Sequence, residues 1–245
     1  MRVGACTDKG TVRQINEDCF YIPQDISRDI SLFIVADGMG GHKAGEVASK
    51  DAVNAVVKHI TNNFESYVNE NGNLLNLFKE SILWANHAIF EKSLTDASLD
   101  GMGTTLAAVL IHNNKLYIGH VGDSRVYAVR RNNIYQLTRD HSYVEHLVEN
   151  GTITRDQAAN HPQRNIITRA LGCEEIVEID VSIRKFFDKD TFIICSDGLT
   201  NYISDNQIMD KVRSLDSCQQ IAEDLVKMAN DAGGNDNITV VIIKK

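Results

Sequence analysis

Apolar positions along this 245-residue chain follow two periods. Short runs rich in β-branched and aromatic residues, bounded by Gly, Asn or Asp, predict strands at 19–23, 31–36, 105–111, 115–121, 125–130, 191–196 and 238–244. The stretches HNNK (112–115) and RNNI (131–134) read as hairpin turns, so the strands between them are expected to be antiparallel neighbours. Three longer stretches repeat at the helical spacing. Val47, Ala48, Ala52, Ala55, Val56 and Ile60 share one stripe over 45–60. Leu74, Phe78, Ile82, Ala85, Ile89 and Phe90 do so over 74–94, and Ile221, Ala222, Leu225 and Ala229 over 217–232. Ser204 with Gln207 forms a capping-box pattern at a further helix start. Strands fall early, centrally and late, with two consecutive helices between, which is not the strict alternation of a doubly wound sheet. The pattern predicts an α+β domain with mainly antiparallel sheets and helices on their outer faces.

Residues 138–172 interrupt this pattern and read as short helices around a turn at Asn150-Gly151, a surface lobe or lid. No repeat, low-complexity run or Pro/Gly/Ser linker divides the chain, so one domain over 1–245 is expected. Hydrophobic content of 43% and charged content of 24% belong to the ordinary globular class. The net charge of -8 argues against nucleic acid or an anionic membrane as partner. No apolar run approaches the ~20 residues of a membrane helix. The first ten residues lack a signal-peptide core, and the five cysteines are scattered without CxxC spacing. Reduced thiols and a cytoplasmic location are the expectation.

The stretch VADGMGGHKAGE (35–46) stops an apolar strand on Asp37 and follows it with four glycines. Asp123 in HVGDSR, Asp197 in ICSDGL and Asp236 in GGNDNITV repeat the device, and RQINEDCF sets Arg13, Glu17 and Asp18 just ahead of a strand. At any one of these positions taken alone, turn chemistry is the stronger reading of an acid beside Gly or Asn. If the five segments converge, ionised carboxylates within ~5 Å repel one another by several kcal/mol per pair at an effective dielectric near 20. Such a cluster must take up protons or cations. All-oxygen ligation selects Mg²⁺ or Mn²⁺ over Zn²⁺. Glycines let backbone carbonyls approach the ion. Two ions ~3.5–4 Å apart can share a water and lower its pKa for attack on phosphorus.

RQINEDCF, VADGMGGHKAGE, GMGTTLAAVLI, HVGDSRVY, RDHS with HPQRNIITRALG, CSDGL and GGNDNITVVII occur in the order seen in bacterial metal-dependent serine/threonine protein phosphatases. The sequence resembles this PPM, or type-2C, family over essentially its whole length. The resemblance implies a four-layered αββα sandwich with the metal site at one end between two antiparallel sheets, and a flap over about 138–172. It implies that Asp37 bridges two ions, that the Gly38 carbonyl binds one of them and that Asp197 and Asp236 complete that site. It further implies that Glu17 and Asp18 hold metal-bound waters and that Asp123 with Asp197 binds a third, weaker ion. Arg13 matches the arginine that grips the substrate phosphate. Its guanidinium fork suits that task, although an ion pair with Glu17 four residues on is the plain alternative. Where many eukaryotic relatives carry a histidine directly after Asp-Gly, this chain has Met39. His42, three residues on, is either the proton donor to the leaving oxygen or a structural histidine in a glycine turn.

The resemblance thus implies a phosphoserine/phosphothreonine phosphatase that uses a metal-bridging water and opposes a eukaryotic-type kinase in a bacterium, with phosphorylated proteins as partners and a monomeric state. A non-catalytic pseudophosphatase would have lost one or more acids, and none is missing. A two-metal nuclease would carry a basic stripe, and none is present.

Overall fold

The computed structural model describes residues 1–24, 30–40, 44–69 and 73–245. The described residues form two sheets, paired antiparallel throughout. The first runs β1 (Arg2–Asp8), β11 (Ile238–Lys244), β10 (Thr191–Cys195), β7 (Arg125–Arg130), β8 (Asn133–Gln136). The second runs β2 (Asp18–Tyr21), β3 (Ser31–Met39), β5 (Leu106–His112), β6 (Lys115–Val121), β9 (Asp180–Lys185), with the two-residue β4 (Gly103–Thr104) paired to the end of β3.

The central strands are apolar on both faces because both faces are covered. Along β3, Leu32, Ile34 and Ala36 face the helices α1 (Ala44–Asn69) and α2 (Leu74–Thr95). Phe33 and Val35 face the opposite sheet. Along β11, Ile238, Val240 and Ile242 pack under α5 (Asp197–Thr200), α6 (Asp205–Val212) and α7 (Cys218–Asp231), while Val241 and Ile243 point inward. Three apolar layers therefore separate four layers of structure, helix on sheet on sheet on helix. This is the α+β, αββα arrangement expected.

α1 runs two turns beyond the expected end, since Phe64 continues its buried stripe. Ser204 and Gln207 close the expected capping box at the start of α6, a contribution of about 1 kcal/mol. Between 138 and 172 lie α3 (Tyr143–Glu149) and α4 (Arg155–Ala159), with Asn150 capping α3 and Gly151 at φ +75.

One expectation is corrected. HNNK does join β5 to β6 by a tight hairpin, with Asn113 and Asn114 both at positive φ. RNNI joins β7 to β8. The strands between those turns, β6 and β7, are not neighbours, because they belong to different sheets. The chain changes sheet at residues 122–124. Gly122, at φ +102, makes the bend, and a Cβ there would lie 2.6 Å from the Thr105 Cβ. β1, β8 and β9, absent from the sequence reading, are all sheet edges. Their apolar alternation is short, Val3 and Ala5 in β1 and Val181 and Ile183 in β9, and most of their positions are half-exposed or exposed.

Candidate active site

Both sheets deliver an acid to the same end of the sandwich. Asp37 stands at the end of β3, directly across from Asp18 at the start of β2. Its backbone is fixed on both sides. The Asp37 N–H donates to Thr105 Oγ1 at 3.0 Å, and its carbonyl accepts from the Thr105 N–H at 2.8 Å and from Thr104 Oγ1 at 2.9 Å. Gly38 follows in close contact with its surroundings. Its N–H donates to the Glu17 carbonyl at 3.1 Å, and a Cβ there would sit 2.0 Å from the Gly45 carbonyl oxygen. Only glycine allows that approach.

From the other sheet, Asp197 follows β10 and accepts from Asn201 Nδ2 at 2.9 Å. Asp236 precedes β11 and accepts from its neighbour's N–H, that of Asn237, at 2.8 Å. The crossover between sheets brings Asp123 alongside them. Arg13, Glu17, Asp37, Gly38, Asp123, Asp197 and Asp236 line one cleft, together with Met39, Thr105, Asn165 and Ile167. The five acid-bearing segments do converge. His42 lies outside the described residues.

Electrostatics record the convergence. Burial, then the charges of Asp18, Asp197, Asp123 and Asp236, hold the Asp37 carboxyl well above the usual range. Burial pushes Asp18 up to about 7, against the help of hydrogen bonds from Thr239 and Ser196. Burial and then Asp197 and Asp140 raise Asp123, while burial and then Asp236 raise Asp197. Burial raises Glu17, with Arg13 opposing and Asp236 adding to the rise. Among the described residues no three acid, histidine or cysteine side chains already stand as a closed ligand cage. The acids meet as a mutually repelling group.

Two orphaned oxygens show what the group fits. Ser196 Oγ donates to Asp18 Oδ2 at 2.8 Å, but Asp18 Oδ1 is buried without a partner, as is Glu17 Oε1. A buried acceptor left alone costs about 1–3 kcal/mol. Carboxylate oxygens without donors, among acids of which Glu17, Asp18, Asp37, Asp123 and Asp197 are all raised, suit a hard divalent cation and the water it carries.

Arg13 does not make its hydrogen bond with Glu17. It donates to Asp236 Oδ2 at 2.9 Å, and its side chain is 49% exposed. Sequence reasoning missed the residues that hold the acids in place. Asn237 is the clearest. Its Oδ1 accepts from the Glu17 N–H at 2.8 Å, and its Nδ2 donates to the Lys9 and Ile15 carbonyls at 3.0 and 2.9 Å. Both of its amide hydrogens and its oxygen are engaged in tying the two acidic loops together. Its signal was visible only as an extra Asn in GGNDN.

A family model for protein phosphatase 2C matches residues 9–240. The chain belongs to the protein phosphatase 2C family. It is 38% identical over 239 residues to the serine/threonine phosphatase stp of Listeria welshimeri, covering 98% of this chain and 94% of that protein. It is 38% identical over 242 residues to PstP of Mycobacterium tuberculosis, covering 99% of this chain and 44% of that longer protein. The crystal structure of the M. tuberculosis serine/threonine phosphatase PstP/Ppp superposes with a TM-score of 0.88 at 35% identity, covering 100% of this chain and 99% of that one. The catalytic domain of PstP in complex with two manganese ions superposes at 0.84, also 35% identical, over 98% and 96% of the two chains. Family membership fixes the reaction class. The chain is a metal-dependent protein serine/threonine phosphatase of the type found in bacteria.

Proposed function

We propose that this phosphatase hydrolyses phosphoserine and phosphothreonine with a water activated between two Mn²⁺ or Mg²⁺ ions. Asp37 would bridge the ions, the Gly38 carbonyl, Asp197 and Asp236 would complete the first, and Glu17 and Asp18 would hold waters around the second. Asp123 and Asp197 would share a third, weaker ion. When bound, the ions supply an acidified water as nucleophile and offset the charge of the phosphate. The observation that carries this reading is the pair of orphaned oxygens, Glu17 Oε1 and Asp18 Oδ1, beside acids that raise one another.

The chain's own residues supply binding and orientation. The Arg13–Asp236 pair is half exposed, and such pairs are worth about 0–1 kcal/mol, so the guanidinium is cheaply released once a cation engages Asp236. It would then offer its planar fork to two phosphate oxygens. Thr105, through its bonds to the Asp37 N–H and carbonyl, fixes the main chain from which the carboxylate reaches the cleft. His42 would give a proton to the departing serine or threonine oxygen.

Opposition to a eukaryotic-type bacterial kinase, a monomeric state and a cytoplasmic location complete the proposal. A single domain over 1–245 with residues 138–172 as a flap completes it structurally. Among the described residues no helix is long and apolar enough to cross a membrane. Hydrolysis of a phosphothreonine peptide and of p-nitrophenyl phosphate, with Mn²⁺ and with chelator, tests the reading. Turnover of both that chelator abolishes and Mn²⁺ restores is expected. Metal binding without turnover would instead make the chain a pseudophosphatase.

A further inference from the structure

Two buried histidines that the proposed reaction does not use flank the crossover carrying Asp123. His141 is 4% exposed and His120 1%, and their rings lie 4.8 Å apart. His141 grips Gly122 twice. Its backbone N–H donates to the Gly122 carbonyl at 2.7 Å, and its ring Nδ1 accepts from the Gly122 N–H at 3.1 Å. A neutral ring that accepts at Nδ1 carries its proton on Nε2. That Nε2 faces Asp180 Oδ2 at 3.4 Å; Arg169 Nη1 also lies 3.2 Å from it, but a guanidinium only donates, so with Nε2 protonated its hydrogen goes to Asp180 Oδ1 at 3.3 Å rather than to the ring. On the other side, His120 Nε2 lies 2.8 Å from the Ser124 carbonyl oxygen. A carbonyl only accepts, so here too Nε2 holds the proton, which leaves His120 Nδ1 as the orphaned ring atom.

We infer that His141 and His120 are positioning residues that hold Asp123 toward Asp197 by clamping the peptide groups on either side of it. With Gly122 pinned at both its N–H and its carbonyl, and Ser124 at its carbonyl, Asp123 keeps little freedom beyond its own side-chain torsions. Ser124 Oγ, 2.7 Å from Thr105 Oγ1, ties the same crossover to the residue that fixes Asp37. The two clamps use opposite ring atoms and opposite chemistry: His141 works as an acceptor at Nδ1 and His120 as a donor at Nε2. The metal part of this inference rests on the third-ion reading of Asp123.

That opposition supplies the test. An Asn amide reproduces the Nδ1 position of a histidine ring, and a Gln amide the Nε2 position. His141→Asn should therefore keep the clamp and His141→Gln lose it, whereas His120→Gln should keep it and His120→Asn lose it. Amide exchange over residues 122–125 in the ion-free protein is measured beside the Mn²⁺ concentration for half-maximal turnover and the melting temperature. Loss of one net hydrogen bond corresponds to exchange about tenfold faster. The expected result is that gain at the Gly122 amide in His141→Gln, a severalfold rise in the Mn²⁺ requirement in both clamp-losing variants, and near-wild-type values in the other two. A residue that only fills space would respond alike to Asn and Gln at both positions, and that outcome overturns the inference, as does unchanged Gly122 exchange in His141→Gln. Asp123→Ala serves as the control. If its Mn²⁺ requirement equals the wild type's, the third-ion reading fails and the clamp is judged on exchange alone. If His141→Gln does not fold, the His120 pair decides.

Discussion

Asp37 sits where four other acids raise its proton affinity, and that position separates its catalytic from its structural effect. Asp37→Asn removes the carboxyl that its neighbours resist ionising while keeping the shape. The ion-free variant should therefore melt at or slightly above the wild-type temperature, while turnover falls by roughly 10²–10³, the scale of losing a preorganised charge-stabilising group. Near-normal Mn²⁺-dependent turnover in this variant would contradict the bridging role. Arg13→Ala should raise KM for a phosphopeptide about tenfold or more, the cost of a charge-assisted hydrogen bond, with a smaller fall in kcat. Unchanged kinetics on peptide and small ester alike would reduce Arg13 to its ion pair with Asp236. At this scale the acids were legible, because an acid at a strand end beside glycine is a local signal. Their supports were not. Ser196 matters because it donates to Asp18, 178 residues away, and Asn237 because it ties residues 9, 15 and 17 together. Nothing in a single sequence marks a hydrogen bond at that distance.

The elements explain why both sheets reach one site. β3, β10 and β11 are central strands, rigid and buried, and each carries an acid at or beside the end that faces the cleft. These strands were legible, since burial on both faces writes itself as an unbroken apolar run. The edges β1, β8 and β9 were not, and neither was the change of sheet at 122–124, which looks like a hairpin until Gly122 is seen to bend the chain out of its sheet. Residues 138–172 supply Asn165 and Ile167 to the cleft wall but none of its acids. Replacing 152–164 by a short linker should therefore change the ratio of rates between two phosphoprotein substrates severalfold while p-nitrophenyl phosphate hydrolysis stays within about twofold. The variant should also carry Glu145→Gln, because α4 supplies Arg155, whose two bonds at 2.7 and 2.9 Å pair the buried Glu145 carboxylate. Left alone, that charge would be a stability defect unrelated to specificity. An equal change on protein and small-ester substrates would remove the specificity role.

For the whole molecule, the acid cluster links stability to pH and to metal. The Asp18 carboxyl, at about 7 in the folded chain against 3.8 in a free one, keeps its proton where the unfolded chain has lost it. Between pH 4 and 7 the unfolded state thus binds fewer protons, and the ion-free protein loses stability as pH rises. Asp37, Asp123, Asp197 and Glu17, all raised, act in the same direction. His120 acts oppositely: burial lowers it to about 3, so its stability contribution is lost as pH falls below 6.5. That effect is common to the ion-free and ion-bound protein and cancels in their difference. The rise in melting temperature on adding Mn²⁺ should therefore grow from pH 5 to pH 7. A rise that is flat or shrinks over that range would mean that the raised acids are not the ligands. The most direct measurement is calorimetric titration of Mn²⁺ into chelator-stripped protein at pH 7, in two buffers of different ionisation enthalpy, for the wild type and Asp37→Asn. Two tight ions per wild-type chain with net proton release, and loss of at least one of them in Asp37→Asn, are the expected result. Equal stoichiometry in the two proteins, or binding to the wild type without proton release, would show that the cations are held elsewhere than between Asp37, Asp197 and Asp236.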